Sequence, residues 1–382
     1  MVAALGTLVA VSIIALIGSW YSLKQQPQTL LRRALVARNM EDRIRFLQQA
    51  IAGAHGEYPE AELQLCLSFA QSKQWIPLET NFAKLDKQNC PSKDLVALAK
   101  LCLEGKQWKT AEAVLTVLQD QSAPTEESVL LFCTLYRDTG RVQSLITAAE
   151  QLTHLAPQDP RYWWLLAQIH EQLENTSAVM RVYNTALSHD LPRSESIKMR
   201  HRLLEHGIEV GDADLARKQF DILRAAGELG PRMDVYQARL CHLEGHPIQA
   251  LVYLEAALQE LGEIPEALRL RGILHLELGH LEQAASDLKR ATELTPIDDI
   301  AYFKLAETYR RQGLNGTPQQ RQLAKTYHER YLALHHKKLS IKQLTRQLSQ
   351  TPDAENLRSE LDRLKTELDK IGADIPASRN KE

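Results

Sequence analysis

Apolar, small and polar residues alternate along the chain with the spacing of amphipathic helices, and this pattern itself repeats. In the segment 265–298, small residues stand at three positions, a large apolar residue lies between the last two, and a proline follows. Small residues let two helices approach closely, large ones fill the remaining space, and a proline ends a helix. The segment therefore predicts one pair of antiparallel helices. The residues are Gly272, Ala284, Leu288, Ala291 and Pro296.

The same register continues in both directions in steps of 34 residues, with a three-residue insertion after residue 193. One step upstream, for example, Ala238, Ala250, Leu254 and Ala257 take the corresponding positions. No single helix pair can bury its own apolar face, so neighbouring pairs must stack. The sequence predicts seven to eight such units, at 59–91, 92–125, 126–159, 160–193, 197–230, 231–264, 265–298 and 299–334.

This pattern resembles the tetratricopeptide repeat, a 34-residue helix-turn-helix unit with small residues and a closing proline at fixed positions. The resemblance covers about three quarters of the chain. It implies an all-α fold, in which the helix-turn-helix units stack into a right-handed α-solenoid.

The first 23 residues form a different pattern, since they contain no charged side chain. About 22 helical residues at 1.5 Å each span roughly 33 Å, enough to cross the hydrocarbon core of a bilayer. Trp20 and Tyr21 stand at one end of this run, where interfacial aromatic residues are expected. A cleaved signal peptide would need basic residues before the run, and there are none. We predict a transmembrane anchor over 1–23, in contact with lipid through residues 2–23.

The charges beside this anchor predict its orientation. Basic residues follow the apolar run, and the other side offers only the terminal amine. Because positive charge favours the cytoplasmic side, we expect a single-pass membrane protein whose repeats lie in the cytoplasm. The basic residues are Lys24, Arg32, Arg33 and Arg38.

Two further segments flank the repeats. Residues 24–58 predict a divergent helix pair that links the anchor to the solenoid. Residues 335–375 predict C-terminal helices, and 376–382 a disordered tail. The last of these helices is either a cap packed on the final repeat or a short coiled coil that self-associates through 353–371, because its apolar residues alternate in steps of four and three. They are Leu357, Leu361, Leu364, Leu368 and Ile371.

Composition and motifs argue against catalysis, metal binding and nucleic-acid binding. The formal net charge of −2 gives no general attraction to nucleic acid. The five cysteines form no CxxC pair, so we expect buried thiols rather than a disulfide framework or a zinc site. No HExxH, phosphate-binding loop or GxSxG motif occurs. We predict no enzymatic activity, cofactor or metal, and we expect the segment 335–338 (His-His-Lys-Lys) to face solvent.

The resemblance also implies where partners would bind, because certain first-helix positions of tetratricopeptide repeats line a concave groove. Transferred to this chain, those positions lean basic with aromatic anchors, although Glu205, Glu277 and Glu307 also occur among them. Such a groove suits an extended peptide with acidic and apolar side chains, and the alternative is a set of ordinary solvated charges. The candidate residues are Arg137, Trp164, Gln168, His201, Arg202, Tyr236, Arg239, Arg269, Phe303, Lys304 and Arg310.

These expectations predict a membrane-tethered scaffold that binds other proteins or peptides. The alternative is a protein of reversed orientation that assists envelope assembly or secretion outside the cytoplasm. The layout is also similar to the lipopolysaccharide assembly protein B family, but that family ends in a cysteine-pair metal module, and here no cysteine follows Cys241.

Overall fold

The computed structural model describes residues 26–54, 58–314, 317–351 and 354–373 of the 382-residue chain. The predicted anchor at 1–23 and the predicted tail at 376–382 lie outside these residues. Within them every regular element is helical and no strand occurs, which confirms the all-α prediction for this part of the chain. None of the helices described there combines the length and apolar character needed to cross a bilayer.

The helices divide into two compact units, Met1–Ala156 and Pro157–Glu382, here called unit 1 and unit 2. In unit 1, consecutive helices pack as antiparallel pairs, and each pair packs on the next. A short 3₁₀ helix, Lys87–Asn89, follows α4. The α-helices are α1 (Pro27–Val36), α2 (Met40–Gly53), α3 (Pro59–Gln71), α4 (Trp75–Lys84), α5 (Ser92–Glu104), α6 (Trp108–Gln121), α7 (Glu126–Asp138) and α8 (Val142–Leu155).

Unit 2 repeats the same arrangement with five helix pairs and one additional helix at the C-terminal end of the described residues. In each pair the odd-numbered member is called the first helix and the even-numbered member the second. The helices are α9 (Pro160–Gln172), α10 (Thr176–Ala186), α11 (Arg193–Val210), α12 (Ala213–Ala225), α13 (Pro231–Leu243), α14 (Pro247–Leu261), α15 (Pro265–Glu277), α16 (Leu281–Leu294), α17 (Asp299–Gly313), α18 (Pro318–Gln350) and α19 (Glu355–Ala373).

Local sequence fixes where these helices begin and end. Proline opens α13, α14 and α15, where its missing N–H costs no hydrogen bond. Asp298 caps α17, because its Oδ1 accepts a hydrogen bond of 3.0 Å from the backbone N–H of Ala301. Between first and second helices, Gly245 and Gly279 adopt left-handed φ angles of 81° and 80°, which other residues rarely reach.

The small residues of the repeat pattern lie where helices approach most closely. A Cβ atom added at Gly272 on α15 would stand only 2.6 Å from Cγ of Leu288 on α16. Ala284, Leu288 and Ala291 are all fully buried. The pattern of small and large residues thus sets the distance between the helices of a pair.

All five cysteines are free and buried, as expected for thiols that serve as small apolar residues. Burial raises the pKa of the Cys66 thiol to about 12, and the pKa of Cys102 likewise to about 12. These thiols therefore remain protonated and unreactive in the folded protein.

The C-terminal part of the repeat region differs from the sequence prediction. The unit boundary expected at residue 334 falls inside α18, which runs unbroken from Pro318 to Gln350. The helix continues because no glycine follows Pro318 within it, and no further proline interrupts it. The helix α19 packs on α18, where Leu361 is buried and Lys337 pairs with Glu367.

The segment 335–338 was expected to face solvent, and the side chains of His335 and Lys338 are 40% and 38% exposed, but both also contact a neighbouring helix. His335 Nδ1 lies 3.1 Å from Oδ2 of Asp299, the first residue of α17, and Lys338 pairs with the same carboxylate. These contacts form because α18 runs antiparallel to α17 and brings this turn beside the start of its partner. Four residues further on, Lys342 pairs with Glu174 in the turn after α9.

Candidate partner-binding face

Ten of the eleven predicted groove residues lie on the first helices of unit 2. We call the surface formed by these side chains on α9, α11, α13, α15 and α17 the first-helix face. The eleventh, Arg137, lies on α7 in unit 1, where its Nε donates a 3.0 Å hydrogen bond to the neighbouring Asp138. Because the 34-residue register brings equivalent positions of successive first helices side by side, contacts between these helices decide which groups remain available.

The first contact joins α9 to α11. Trp164 Nε1 donates a hydrogen bond of 2.8 Å to a carboxylate oxygen of Glu195, and Lys198 pairs with the same carboxylate at 2.7 Å. The hydrogen bonds from Lys198 and Trp164 hold the pKa of Glu195 below its usual range. Trp164 is therefore held in a fixed orientation with its indole half-buried.

A second and longer network connects α9, α11 and α13. Glu171 on α9 accepts hydrogen bonds of 3.2 Å from both Tyr183 and Arg202. Arg202 on α11 also reaches Glu205 at 3.3 Å, and Glu205 accepts a 2.6 Å hydrogen bond from the Tyr236 hydroxyl on α13. The network satisfies both carboxylates within the protein and rigidifies this half of the face.

Tyr236 stands at the end of this network in a partly buried position. Its ring centroid lies 5.7 Å from that of His201, whose Nε2 is 3.6 Å from a carboxylate oxygen of Glu228. Burial and the hydrogen bond to Glu205 raise the pKa of the Tyr236 phenol, so the hydroxyl stays protonated. It presents a fixed aromatic edge on the face.

Arg239, one helical turn after Tyr236, has a different environment. Its side chain is half-buried, yet it forms no ion pair within the part of the chain that the structure describes. Its guanidinium is close enough to Tyr236 to act electrostatically on the pKa of the phenol. A partly desolvated cation without a carboxylate partner favours an incoming anion.

The remaining part of the face, on α15 and α17, combines paired charges with exposed apolar surface. Arg269 Nη1 donates a hydrogen bond of 2.9 Å to Oδ2 of Asp298, and Lys304 forms an ion pair with Glu307 at 3.3 Å. Phe303 is 40% exposed, and its ring lies 5.0 Å from that of Tyr331. Arg310 is exposed and, among described residues, has no carboxylate within ion-pair distance.

These pairings alter the predicted electrostatic character of the face. Of its cations, Arg202, Arg269 and Lys304 are neutralised by carboxylates, while Arg239 and Arg310 are not. Gln168 is exposed to solvent. The basic character is therefore concentrated on α13 and α17 rather than spread along the face.

Sequence reasoning omitted Glu171, Glu195 and Glu228 from this face, although the contacts leave a signal in the sequence. The pairs Trp164–Glu195, Arg202–Glu171 and Tyr236–Glu205 are each separated by 31 residues. For Tyr236–Glu205 this separation is three residues less than the repeat step of 34, and the other two pairs also span the three-residue insertion after residue 193, so neighbouring first helices are in contact in both cases. Complementary residues at this separation could therefore have predicted the pairs.

The first-helix face contains aromatic rings, hydrogen-bonded carboxylates and cations. Within the described residues, no group of three or more His, Cys, Asp or Glu side chains is arranged to hold a metal ion.

Comparison with known proteins agrees with the helix-pair architecture of this part of the chain. A sequence model described as a tetratricopeptide repeat matches residues 269–316, which run from α15 past the end of α17. The chain contains tetratricopeptide repeat sequence. Tetratricopeptide repeats are protein–protein interaction scaffolds whose helix pairs stack as they do in each unit here. No curated protein sequence matches the chain.

Several solved structures resemble the chain at low sequence identity. A tetratricopeptide repeat protein from Parabacteroides merdae is 16% identical, with 65% of this chain and 97% of that chain covered and a TM-score of 0.36. A chain of the Cut9–Hcn1 assembly is 13% identical, with 90% of this chain and 69% of that chain covered and a TM-score of 0.42. YrrB, a tetratricopeptide repeat protein with an unusual peptide-binding site, is 17% identical, with 50% of this chain and 93% of that chain covered and a TM-score of 0.33. None of these scores reaches the level of a shared overall geometry.

Proposed function

We propose that the tetratricopeptide repeats bind an extended, acidic and partly apolar segment of a partner protein on the first-helix face of unit 2. The observation that carries this proposal is Arg239, a half-buried cation that no described carboxylate neutralises. The neighbouring Tyr236 is held rigid by Glu205, so it can contact a ligand without losing much conformational entropy.

The chemistry of the face favours a particular ligand. A carboxylate of the partner would accept hydrogen bonds from Arg239, and an apolar side chain would pack on exposed Phe303. Exposed Arg310 provides a second cation on the helix that carries Phe303. The paired residues Arg202 and Glu205 would position Tyr236 and contribute little direct binding energy.

The test is fluorescence anisotropy with a labelled peptide of about ten residues that alternates Glu with Leu and Phe. We expect Arg239→Glu to weaken binding by tenfold or more, which corresponds to about 1.4 kcal/mol, because it replaces the attraction by repulsion. Binding should also weaken with added salt.

The matched control is Arg224→Glu on the second helix α12, where the arginine is exposed and the same change of charge occurs away from the face. This variant should bind like the wild type. Equal weakening by both substitutions, or equal binding of a peptide with Lys in place of Glu, would contradict the proposal.

We further propose that residues 1–23 anchor the repeats to a membrane with unit 2 in the cytoplasm. The uncharged run and the basic residues after it support this arrangement. Anchoring would raise the concentration of a bound partner near the bilayer without adding a contact.

Membrane fractionation tests the anchor. Removal of residues 1–23 should move the protein to the soluble fraction and leave peptide affinity unchanged. A reporter fused to the C-terminus tests the orientation of the protein in the membrane. If the reporter is active on the extracytoplasmic side, the alternative role in envelope assembly or secretion would replace the scaffold proposal. Persistent membrane association of the shortened chain would contradict the anchor.

A further inference from the structure

The second helix α14 exposes apolar side chains that no part of the described structure covers. Ile248 is 69% exposed, Val252 is 61% exposed and Tyr253 is 36% exposed, and Ala256 is also exposed. Residues four apart lie on one side of a helix, so Ile248, Val252 and Ala256 form a continuous stripe. We call this stripe, together with Tyr253, the outer face of α14.

Neighbouring second helices of unit 2 carry polar residues at the positions equivalent to Ile248 and Val252 in the 34-residue register. All of these polar residues are exposed, so solvent is the ordinary environment of these positions. Among α10, α12, α14 and α16, branched aliphatic residues at these positions occur only on α14; in unit 1, Ile76 on α4 takes the position of Ile248 and is 79% exposed. An exposed apolar patch indicates a surface that another molecule covers. The equivalent residues are Ser177 and Arg181 on α10, Asp214 and Lys218 on α12, and Glu282 and Ser286 on α16.

The charged side chains on α14 itself are acidic. Helix α14 contains Glu255 and Glu260 and no lysine or arginine. Among described residues, neither carboxylate forms an ion pair, whereas Glu263 just beyond the helix pairs with Arg290 at 2.7 Å. The face is therefore an apolar stripe with an acidic border.

A cleft adjoins the acidic border between α14 and α16. It has a volume of about 590 Å³, and Leu258 and Leu268 contribute apolar surface to it. The cation of Arg271 inside the cleft is neutralised by a two-pronged contact with Asp287, with both hydrogen bonds at 2.7 Å. Glu255 lines the same cleft without forming an ion pair among the described residues, and Lys289 and Arg290 of α16 lie on the opposite side of it.

These observations select one kind of occupant. A second copy of the chain, paired through the same face about a two-fold axis, would bring the acidic borders together and be repelled. A lipid surface with anionic headgroups would be repelled for the same reason. We propose that the outer face of α14 docks an amphipathic helix of a partner protein whose apolar stripe is bordered by lysine or arginine. The chain would then have a second docking surface, separate from the first-helix face.

The probe is a labelled synthetic amphipathic helix of about 18 residues, built from Leu on one side and Lys on the other. It is titrated into the full-length protein and followed by fluorescence anisotropy. We expect binding that Val252→Glu weakens at least tenfold, whereas the same substitution should not change the affinity for a matched helix with Glu in place of Lys. Because Val252 is exposed, the variant should keep the wild-type circular dichroism spectrum.

Two controls separate this proposal from binding elsewhere. Lys218→Glu changes the equivalent position of α12 and should leave affinity for the Lys helix unchanged. Arg239→Glu should also leave the affinity for the Lys helix unchanged. A failure of the docking proposal for α14 can therefore be distinguished from a failure of the peptide-binding proposal for the first-helix face. Equal affinities of wild type and Val252→Glu for the Lys helix would overturn the proposal. So would self-association that Val252→Glu abolishes, because the occupant would then be a second copy.

Discussion

At the scale of single residues, Gly272 shows why a helix of the repeat contains a glycine. Gly272 lies inside α15, where alanine would be the better helix former by roughly 1 kcal/mol. The structure accounts for the glycine, because an added Cβ would meet Leu288 Cγ at 2.6 Å and the backbone nitrogen of Leu288 at 3.2 Å. Close packing against α16 thus outweighs helix propensity at this position.

Gly272→Ala should destabilise the protein by about 1 to 3 kcal/mol, the usual cost of overpacking a buried contact. Urea denaturation followed by circular dichroism measures this change. In a Leu288→Ala background the contact with Cγ is removed and only the one with the backbone nitrogen remains, so the same substitution should cost clearly less there. An equal loss of stability in both backgrounds would show that the close approach to Leu288 is not the cause.

The repeat register predicted that the candidate residues lie on first helices, but it did not predict how their side chains pair. Tyr236 and Arg239 were both assigned to the first-helix face from their positions in the repeat. That Glu205 binds Tyr236 while Arg239 stays without a carboxylate depends on the distance and angle between α11 and α13. Those quantities are set by packing in the core and are not encoded in the residues of the face alone.

At the scale of elements, α18 shows how a helix can extend beyond its repeat. Its segment after residue 334 is fixed to α17 by Asp299, which contacts both His335 and Lys338. Burial alone would raise the pKa of Asp299, but hydrogen bonds from Lys338 and His335 outweigh this effect and leave the pKa below its usual range. The position of the carboxylate at the start of α17 adds a favourable interaction with the helix dipole.

Asp299→Asn should therefore cost about 1 to 2 kcal/mol of stability near neutral pH, because hydrogen bonds to a charged group are lost. Since the folded pKa lies below the unfolded value of about 3.9, this contribution is complete above that value and disappears as the pH falls through the folded pKa. Urea unfolding of both proteins across this range measures the difference. A difference that grows on acidification would contradict the assignment.

The helices also show which parts of the fold could be predicted from the sequence and which could not. Pro265, Gly272 and Ala284 predicted the helix pair α15–α16, because start signals and small contact residues are local features. The boundary at residue 334 was misplaced, because the repeat length was extended into a segment that contains no helix-ending residue. Similarly, α11 begins at Arg193, four residues before the unit predicted at 197, since the inserted residues join its first turn.

At the scale of the whole molecule, the two units consist of stacked helix pairs, and unit 2 offers two surfaces with different chemistry. The first-helix face combines Tyr236 and Phe303 with the cation of Arg239. The outer face of α14 combines Val252 with the carboxylate of Glu255. Complementary ligands of opposite charge could then bind one chain at the same time, which is the property of a scaffold.

The most direct test of the central claim is hydroxyl-radical footprinting of the full-length chain with and without the saturating acidic peptide. Aromatic side chains report on both surfaces of unit 2, since Trp164, Tyr236 and Phe303 lie on the first-helix face and Tyr253 lies on α14. The account predicts that the peptide protects Tyr236 and Phe303 from oxidation and leaves Tyr253 unchanged. Protection of Tyr253 alone, or of none of these residues at saturation, would contradict it.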